Sequence, residues 1–520
     1  MAIYHSPHRV LDIPATPLAD FVLARARERG DRAALIDSLT GRAISYAQLP
    51  GLVDRAAAGL ARLGLRQGQA CAIFSANTPA YAVAVLAVAR LGGIVTTASP
   101  MHTRDDLVKQ LQDSRARILF TSPAVRETAL EAAAIAGTGR IVSFGAMDGA
   151  TPFDDLLAQP GTPPAVRIDP RDVVALPYSS GTTGLPKGVM LTHRNLVANI
   201  LQVHETRHLR DGDDTLVCFL PFFHIYGLVV VMLLGLWSGA TLVVMPRFDL
   251  ERYLDLVERY GATMLHVVPP IMVALAKSPA IDGRNLSRVR KLFSGAAPLG
   301  ADVIAQCTAR VGCVVQQGYG MTEASPATHT TSDDPAAMKP GSIGVPVSNT
   351  ECRVVDPATG EDLGSGQHGE LWLRGPQVML GYFNRPEETS ATLDAAGWLH
   401  TGDIGYADAD GHFFIVDRLK ELIKYKGLQI APAELEGVLL SHPAVADAAV
   451  VSRKDDAAGE IPHAFVVLKG PATADELMGF VADRVASYKK IRRLDFIDAI
   501  PKSPSGKILR RVLRERHGPS

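Results

Sequence analysis

Apolar runs alternate with Ala-rich helical stretches from about Asp31 to Pro246. Residues 70–76 (ACAIFSA), 93–100 (GIVTTASP) and 116–122 (ARILFTS) predict strands, and 81–92 (YAVAVLAVARLG) predicts a helix between the first two. Strand and helix in turn is the mark of βαβ units and parallel sheet. A Pro-rich connection, 148–170, precedes a new strand (VVALPYSS), and a second α/β round follows through 262–270 (ATMLHVVPP), 289–295 (VRKLFSG) and 313–320 (CVVQQGYG). From about Gly341 the pattern changes to short strands broken by turns, among them 351–362, 369–376, 397–405 and 408–417, which predicts a small antiparallel β unit. The expectation is an α/β chain: a large N-terminal domain (1–419) of two helix-flanked sheets plus that β unit, then a small α+β domain (420–520).

One segment invites a different reading. Gly227 to Met245 has no charge and approaches the length of a membrane span. Ser238-Gly239 breaks it at a turn signal, so it reads as a short buried helix followed by a strand, TLVVM, that ends at Pro246.

Composition narrows the function classes. The 520 residues are 47% hydrophobic and 21% charged, ordinary for a multidomain globular chain. Lys plus Arg (53) nearly equals Asp plus Glu (54), so no overall field draws the chain to nucleic acid or an anionic membrane. Five cysteines, Cys71, Cys218, Cys307, Cys313 and Cys352, form no C-x-x-C pair and have no His at zinc spacing. Reduced thiols and a terminus without a secretory pattern predict a cytoplasmic protein.

The strongest chemical signal is the segment Tyr178 to Gly188, YSSGTTGLPKG, after the strand VVALP. Ser179, Ser180, Thr182 and Thr183 offer hydroxyls, Gly181 and Gly184 unobstructed backbone N–H groups, and Lys187 a cation, which together suit a polyphosphate. A P-loop NTPase does not fit. Lys187 is followed by Gly188 where Ser or Thr should meet magnesium, and the glycine spacing is wrong.

The loop resembles the phosphate-binding signature of the adenylate-forming superfamily, which includes acyl-CoA synthetases, 4-coumarate:CoA ligases, luciferases and peptide-synthetase adenylation domains. The resemblance continues in the family's order through Pro221-Phe-Phe-His-Ile-Tyr-Gly227, Gln317-Gly-Tyr-Gly-Met-Thr-Glu323, Gly397-Trp-Leu-His-Thr-Gly-Asp403, Arg418-Leu-Lys-Glu-Leu-Ile-Lys-Tyr-Lys-Gly427 and Pro504-Ser-Gly-Lys507. It implies a two-step reaction using ATP, Mg²⁺ and coenzyme A: an acid and ATP give acyl-AMP and pyrophosphate, then a thiol displaces AMP. By resemblance Lys507 bridges the carboxylate and the α-phosphate, Glu323 holds the metal with Thr183, and Thr322 contacts phosphate or metal. Asp403 and Arg418 meet the ribose. Tyr319 stacks on the base, beside Ala296, Gln317, Gly318, Gly320 and Met321. His224 lies next to the acyl carboxylate. Lys420 matches a hinge, and Lys424, Lys426, Gly427 and Gln429 become contacts for the second step.

Within the superfamily the segments look most like 4-coumarate or cinnamate:CoA ligases. That group implies an acyl pocket of Tyr226, Val230, Phe293, Ala296, Gly318, Ala327 and Thr328. Val230 and Phe293 make it less polar, which favours cinnamate or a medium-chain acid over a hydroxylated ring. Medium- or long-chain fatty acids, a carrier-protein thiol as acceptor, luciferase-like oxidation and a catalytically silent nucleotide sensor stand as alternatives.

Overall fold

A computed structural model describes every residue except 1–2, 180–185, 296–300, 427, 456, 503–506 and 518–520. The predicted strand–helix alternation is present. Its first sheet runs, edge to edge, Tyr178–Ser179, Lys187–Thr192, Val173–Ala175, Ile94–Ala98, Ala70–Phe74, Ile118–Thr121, Arg140–Ser143 and Thr151–Pro152. Pairing is parallel from Val173–Ala175 onward and antiparallel at the Lys187–Thr192 edge. Helix Pro79–Arg90, nearly all Ala, Val and Leu, is buried on every side. Small and β-branched side chains are what a helix enclosed between layers requires.

The second expected sheet comes in two segments. Thr215–Cys218, Thr241–Val244 and Ala33–Asp37 are parallel, with Ala43–Ser45 antiparallel at the edge. Met264–Val267, Lys291–Ser294 and Val314–Gly320 are parallel in turn, and Ala327–Thr330 folds back against the last of them. The segments meet where the Thr263 N–H donates to the Thr215 carbonyl at 3.0 Å. The apolar stretch from Gly227 is a buried π-helix, Tyr226–Leu233, continued by Leu234–Ser238 and strand Thr241–Val244. Gly239 makes the turn at φ 84°. No described helix is long and apolar enough to cross a membrane.

Beyond these, Tyr4–His5, Glu351–Val355, Gly369–Arg374, Leu399–Ala407 and Phe413–Arg418 form the antiparallel unit. The last hundred residues build a separate sheet from Ile423–Tyr425, Leu428–Ile430, Val445–Asp455, Gly459–Leu468 and Arg493–Phe496. That sheet has its own apolar core, with Ile423, Ile430, Leu435, Val450, Val466 and Leu477 at its centre. All five cysteines are buried and unbridged.

Candidate active site

Open α/β sheets bind ligands beyond the carboxyl ends of their parallel strands. Here a cavity of about 1190 Å³ occupies that position. Its walls come from the ends of Ile94–Ala98 (Thr97, Ser99), Lys291–Ser294 (Phe293) and Val314–Gly320 (Gly318, Tyr319, Gly320). The loop bearing His224, the antiparallel unit (His400, Thr401, Gly402, Arg418) and the C-terminal residues Lys502 and Lys507 complete them.

Strand register sets one side of the site. Asp403 on Leu399–Ala407 lies directly opposite Arg418 on Phe413–Arg418. The Arg418 Nε is 3.2 Å from Asp403 Oδ1, and the Tyr319 hydroxyl donates to Oδ2. Asp403 is 4% exposed, and burial pushes its pKa up while the Arg418 charge pulls it down. Tyr319 is pushed up as well, by burial first and the Asp403 carboxylate second. Asp403 is not among the residues lining the cavity, and its two oxygens are held by a phenol and a guanidinium that do line it. Lys507 reaches the same cavity. Burial, and after it the Arg418 charge, lowers its pKa to about 8, with Glu421 and Asp403 opposing.

Backbone crowding explains the glycines beside Tyr319. A Cβ on Gly320 would sit 2.2 Å from the Pro326 carbonyl oxygen, and one on Gly318 would sit 2.5 Å from the Phe293 ring. Only glycine lets Val314–Gly320 pack this closely against Pro326 and Phe293.

On the opposite side, Glu323 is 5% exposed and accepts from the Tyr382 hydroxyl at 2.9 Å. Lys187 lies over the Tyr382 ring, 4.5 Å from its centre. Pairing of Lys187–Thr192 with Gly381–Tyr382 holds these three together. A carboxylate and an ammonium bracketing one end of the cavity suit a metal–polyphosphate group. Among the described residues no cluster of three metal-ligating side chains occurs.

His224 stands on a loop clamped from behind. Asn77, in the loop after Ala70–Phe74, accepts from the Phe222 N–H at 2.8 Å and donates to the Leu220 carbonyl at 2.9 Å. Thr97 Oγ1 donates to the Phe223 carbonyl at 2.7 Å. Burial lowers the His224 pKa to about 4, so the ring is neutral at pH 7.

Of the acyl positions expected from sequence, Tyr226, Val230, Phe293, Gly318 and Ala327 line the cavity. Thr328 is buried behind it, its hydroxyl bonded to the Tyr319 carbonyl at 3.2 Å. Gln317 lines a different groove, with Thr331 and Cys313. Ser179, Met321 and Thr322 are at the wall with Lys420. Lys424 and Gln429 face each other on the exposed hairpin of Ile423–Tyr425 and Leu428–Ile430. No described residue between Lys420 and Lys502, Lys426 included, lines the cavity. Ser180, Gly181, Thr182, Thr183, Gly184, Ala296 and Gly427 lie outside the described residues. Sequence reasoning missed Asn77, Thr97 and the buried Arg207, none of which belongs to a recognisable motif.

The AMP-binding enzyme profile matches residues 22–383, and the AMP-binding enzyme C-terminal domain matches 434–507. The chain belongs to the AMP-binding enzyme family. It is an AMP-forming acid–thiol ligase, and its relatives agree along nearly their whole length. The 4-coumarate–CoA ligase 5 of Oryza sativa subsp. japonica is 48% identical over 512 residues, covering 96% of this chain and 94% of that one. The 4-coumarate–CoA ligase 1 of Petroselinum crispum is 44% identical over 510 residues, with 96% and 94% covered. Among solved structures, ATP-bound MatB from Rhodopseudomonas palustris superposes with TM-score 0.87 at 30% identity, covering 96% of this chain and 99% of that one. An anthranilate CoA ligase in complex with anthranoyl-AMP superposes with TM-score 0.89 at 25% identity, covering 98% of each.

Proposed function

We propose that this ligase joins a cinnamate-type aromatic acid to coenzyme A through an acyl-adenylate. The observation that carries the reading is the convergence of Lys507, Tyr319, Arg418 and Glu323 on one cavity whose other end is lined by Tyr226, Val230 and Phe293. The first step brings a carboxylate to a phosphate, and a cation shared by both anions lowers that barrier. Lys507 takes this role. Asp403 and Arg418 hold the ribose, Tyr319 supports the base, and Lys187 orients the polyphosphate together with the loop from Ser179. Glu323 would hold Mg²⁺, with Thr183 as a further oxygen ligand; the metal supplies charge neutralisation on the leaving pyrophosphate.

Because the His224 pKa is near 4, the ring is too weak a base to hold a thiol proton at pH 7. We assign it to orienting the acyl carboxylate and gating the thiol's approach. The boundary between 1–419 and 420–520 is taken as a hinge at Lys420. Rotation there would exchange Lys507 for Lys424, Lys426 and Gln429 in the second step. Unbridged buried thiols support a cytoplasmic setting.

Acid-dependent ATP turnover, with and without CoA, over aromatic and aliphatic acids tests the proposal. AMP and an aryl-CoA identified by mass support it; ADP release, or turnover confined to aliphatic acids, overturns it. Lys507→Ala is expected to lose adenylate formation by about a hundredfold or more while still transferring a supplied acyl-adenylate to CoA.

A further inference from the structure

The acyl end of the cavity contains a charge that the two-step chemistry leaves unused. Arg207, the last residue of helix His193–Arg207, is 2% exposed yet lines the cavity. Its guanidinium carbon lies 3.0 Å from the centre of the Phe293 ring, and Nε and Nη1 are buried without any hydrogen-bond acceptor. Burial lowers its pKa only to about 10, so it is a cation at neutral pH.

Two neighbours act on its charge, the Tyr226 hydroxyl and the Asp333 carboxylate, and neither reaches Nε or Nη1. Lys291 donates to the Arg207 carbonyl at 2.9 Å and pairs with Asp333, the carboxylate whose charge also acts on Arg207. Two buried cations therefore share one carboxylate. The Tyr226 hydroxyl is 3.2 Å from His266 Nδ1, and His266 is held neutral by burial, first, and by the Arg207 charge. Its Nε2 is likewise unpartnered. A buried guanidinium with two idle donors is a costly arrangement that a planar, two-oxygen anion relieves with paired hydrogen bonds.

We propose that Arg207 recognises a second anionic group at the far end of the acid, so that the favoured substrate carries a distal carboxylate. This rests on reading the Tyr226–Phe293 end of the cavity as the acyl pocket. Val230, Phe293 and Ala327 form the apolar walls along which the acid's body lies, and the guanidinium stacked on Phe293 terminates the pocket. Arg207 thereby acts as a specificity residue, away from the reacting atoms.

The test compares kcat/KM for matched acids in two series, cinnamate with 4-carboxycinnamate and octanoate with octanedioate. Each is measured with the wild-type protein, Arg207→Met and Arg207→Lys. The wild-type diacid-to-monoacid ratio is expected to reach about 10- to 100-fold in at least one series. That ratio should collapse to about one or below in Arg207→Met and recover in part in Arg207→Lys. A wild-type ratio at or below one in both series overturns the proposal, as does a ratio unchanged by Arg207→Met, the result expected if a water joins Arg207 to Asp333. Should Arg207→Met fail to fold, the wild-type ratios decide. The aryl-to-alkyl comparison separately reports on the aromatic reading, which can fail while the diacid preference stands.

Discussion

Lys507 shows how one group's surroundings set a measurable property. Its pKa near 8 arises from burial and from Arg418, with Asp403 and Glu421 holding it from falling further. The unfolded chain keeps a lysine at about 10.4 and so binds more protons than the folded one between pH 8 and that value. This group's contribution to stability therefore rises with pH across that window, because the protonated form is the one folding disfavours. Activity runs the other way. In the role proposed for Lys507, adenylate formation needs the ammonium, so its rate should fall above about pH 8, approaching tenfold per pH unit. Pyrophosphate exchange measured across pH 6.5 to 10, approximate limits chosen to bracket the cited values, tests this. Lys507→Arg, protonated throughout, should retain whatever activity it has without that alkaline fall; an identical fall in both proteins would assign the limb to another group. Lys507, Glu323 and Asp403 were legible in the sequence because each sits in an ordered motif. Arg207 was not: a lone arginine before the polar segment HLRDGD reads as a solvated helix end, and only the packing of Phe293 and Lys291 around it shows otherwise.

Elements were legible where periodicity was long. The buried helix Pro79–Arg90 and its flanking strands follow from apolar runs bounded by turn residues. Local spacing could not distinguish α from π geometry in Tyr226–Leu233, whose side chains are apolar on every face. Nor could it show that the second sheet divides at Thr215 and Thr263. The loop joining Thr215–Cys218 to that π-helix is held by a residue that reads merely as part of a turn. Asn77 is buried and satisfies both Phe222 and Leu220. Asn77→Ala removes these bonds and a longer one to the Cys218 carbonyl at 3.4 Å, and is expected to cost about 2–4 kcal/mol of stability, visible as a lowered Tm. Because the same loop carries His224, KM for the acid should rise more than KM for ATP. Equal changes in the two constants would mean that Asn77 supports the cavity generally rather than the acid's position.

At the scale of the molecule, the proposed exchange of Lys507 for the Ile423–Tyr425 hairpin requires contacts across residue 420 to break and re-form. One is specific. Asp417, at the end of strand Phe413–Arg418, accepts from the Ala433 N–H at 2.9 Å, at the start of helix Pro432–Leu440. Its carboxylate also accepts from the Arg418 N–H at 2.7 Å. Around it Ile404, Val416 and Leu419 pack against Leu422 and Ala431, so an apolar patch spans the same boundary. A carboxylate at a helix start favours this arrangement through the exposed N–H groups and the helix dipole, and the proposed rotation about Lys420 would separate the two. Removing it should shift the population away from the adenylate-forming arrangement. For Asp417→Ala, a loss of about 1.5 kcal/mol shifts the equilibrium about tenfold and slows adenylate formation by up to that factor. Transfer of a supplied acyl-adenylate to CoA should slow far less, or quicken, since the latch would oppose the rotation proposed for this step. Measuring both half-reactions on one preparation separates a latch from a merely structural carboxylate. A structural role slows the two alike and lowers the Tm, whereas a latch changes their ratio. An unchanged ratio would overturn the latch reading of Asp417.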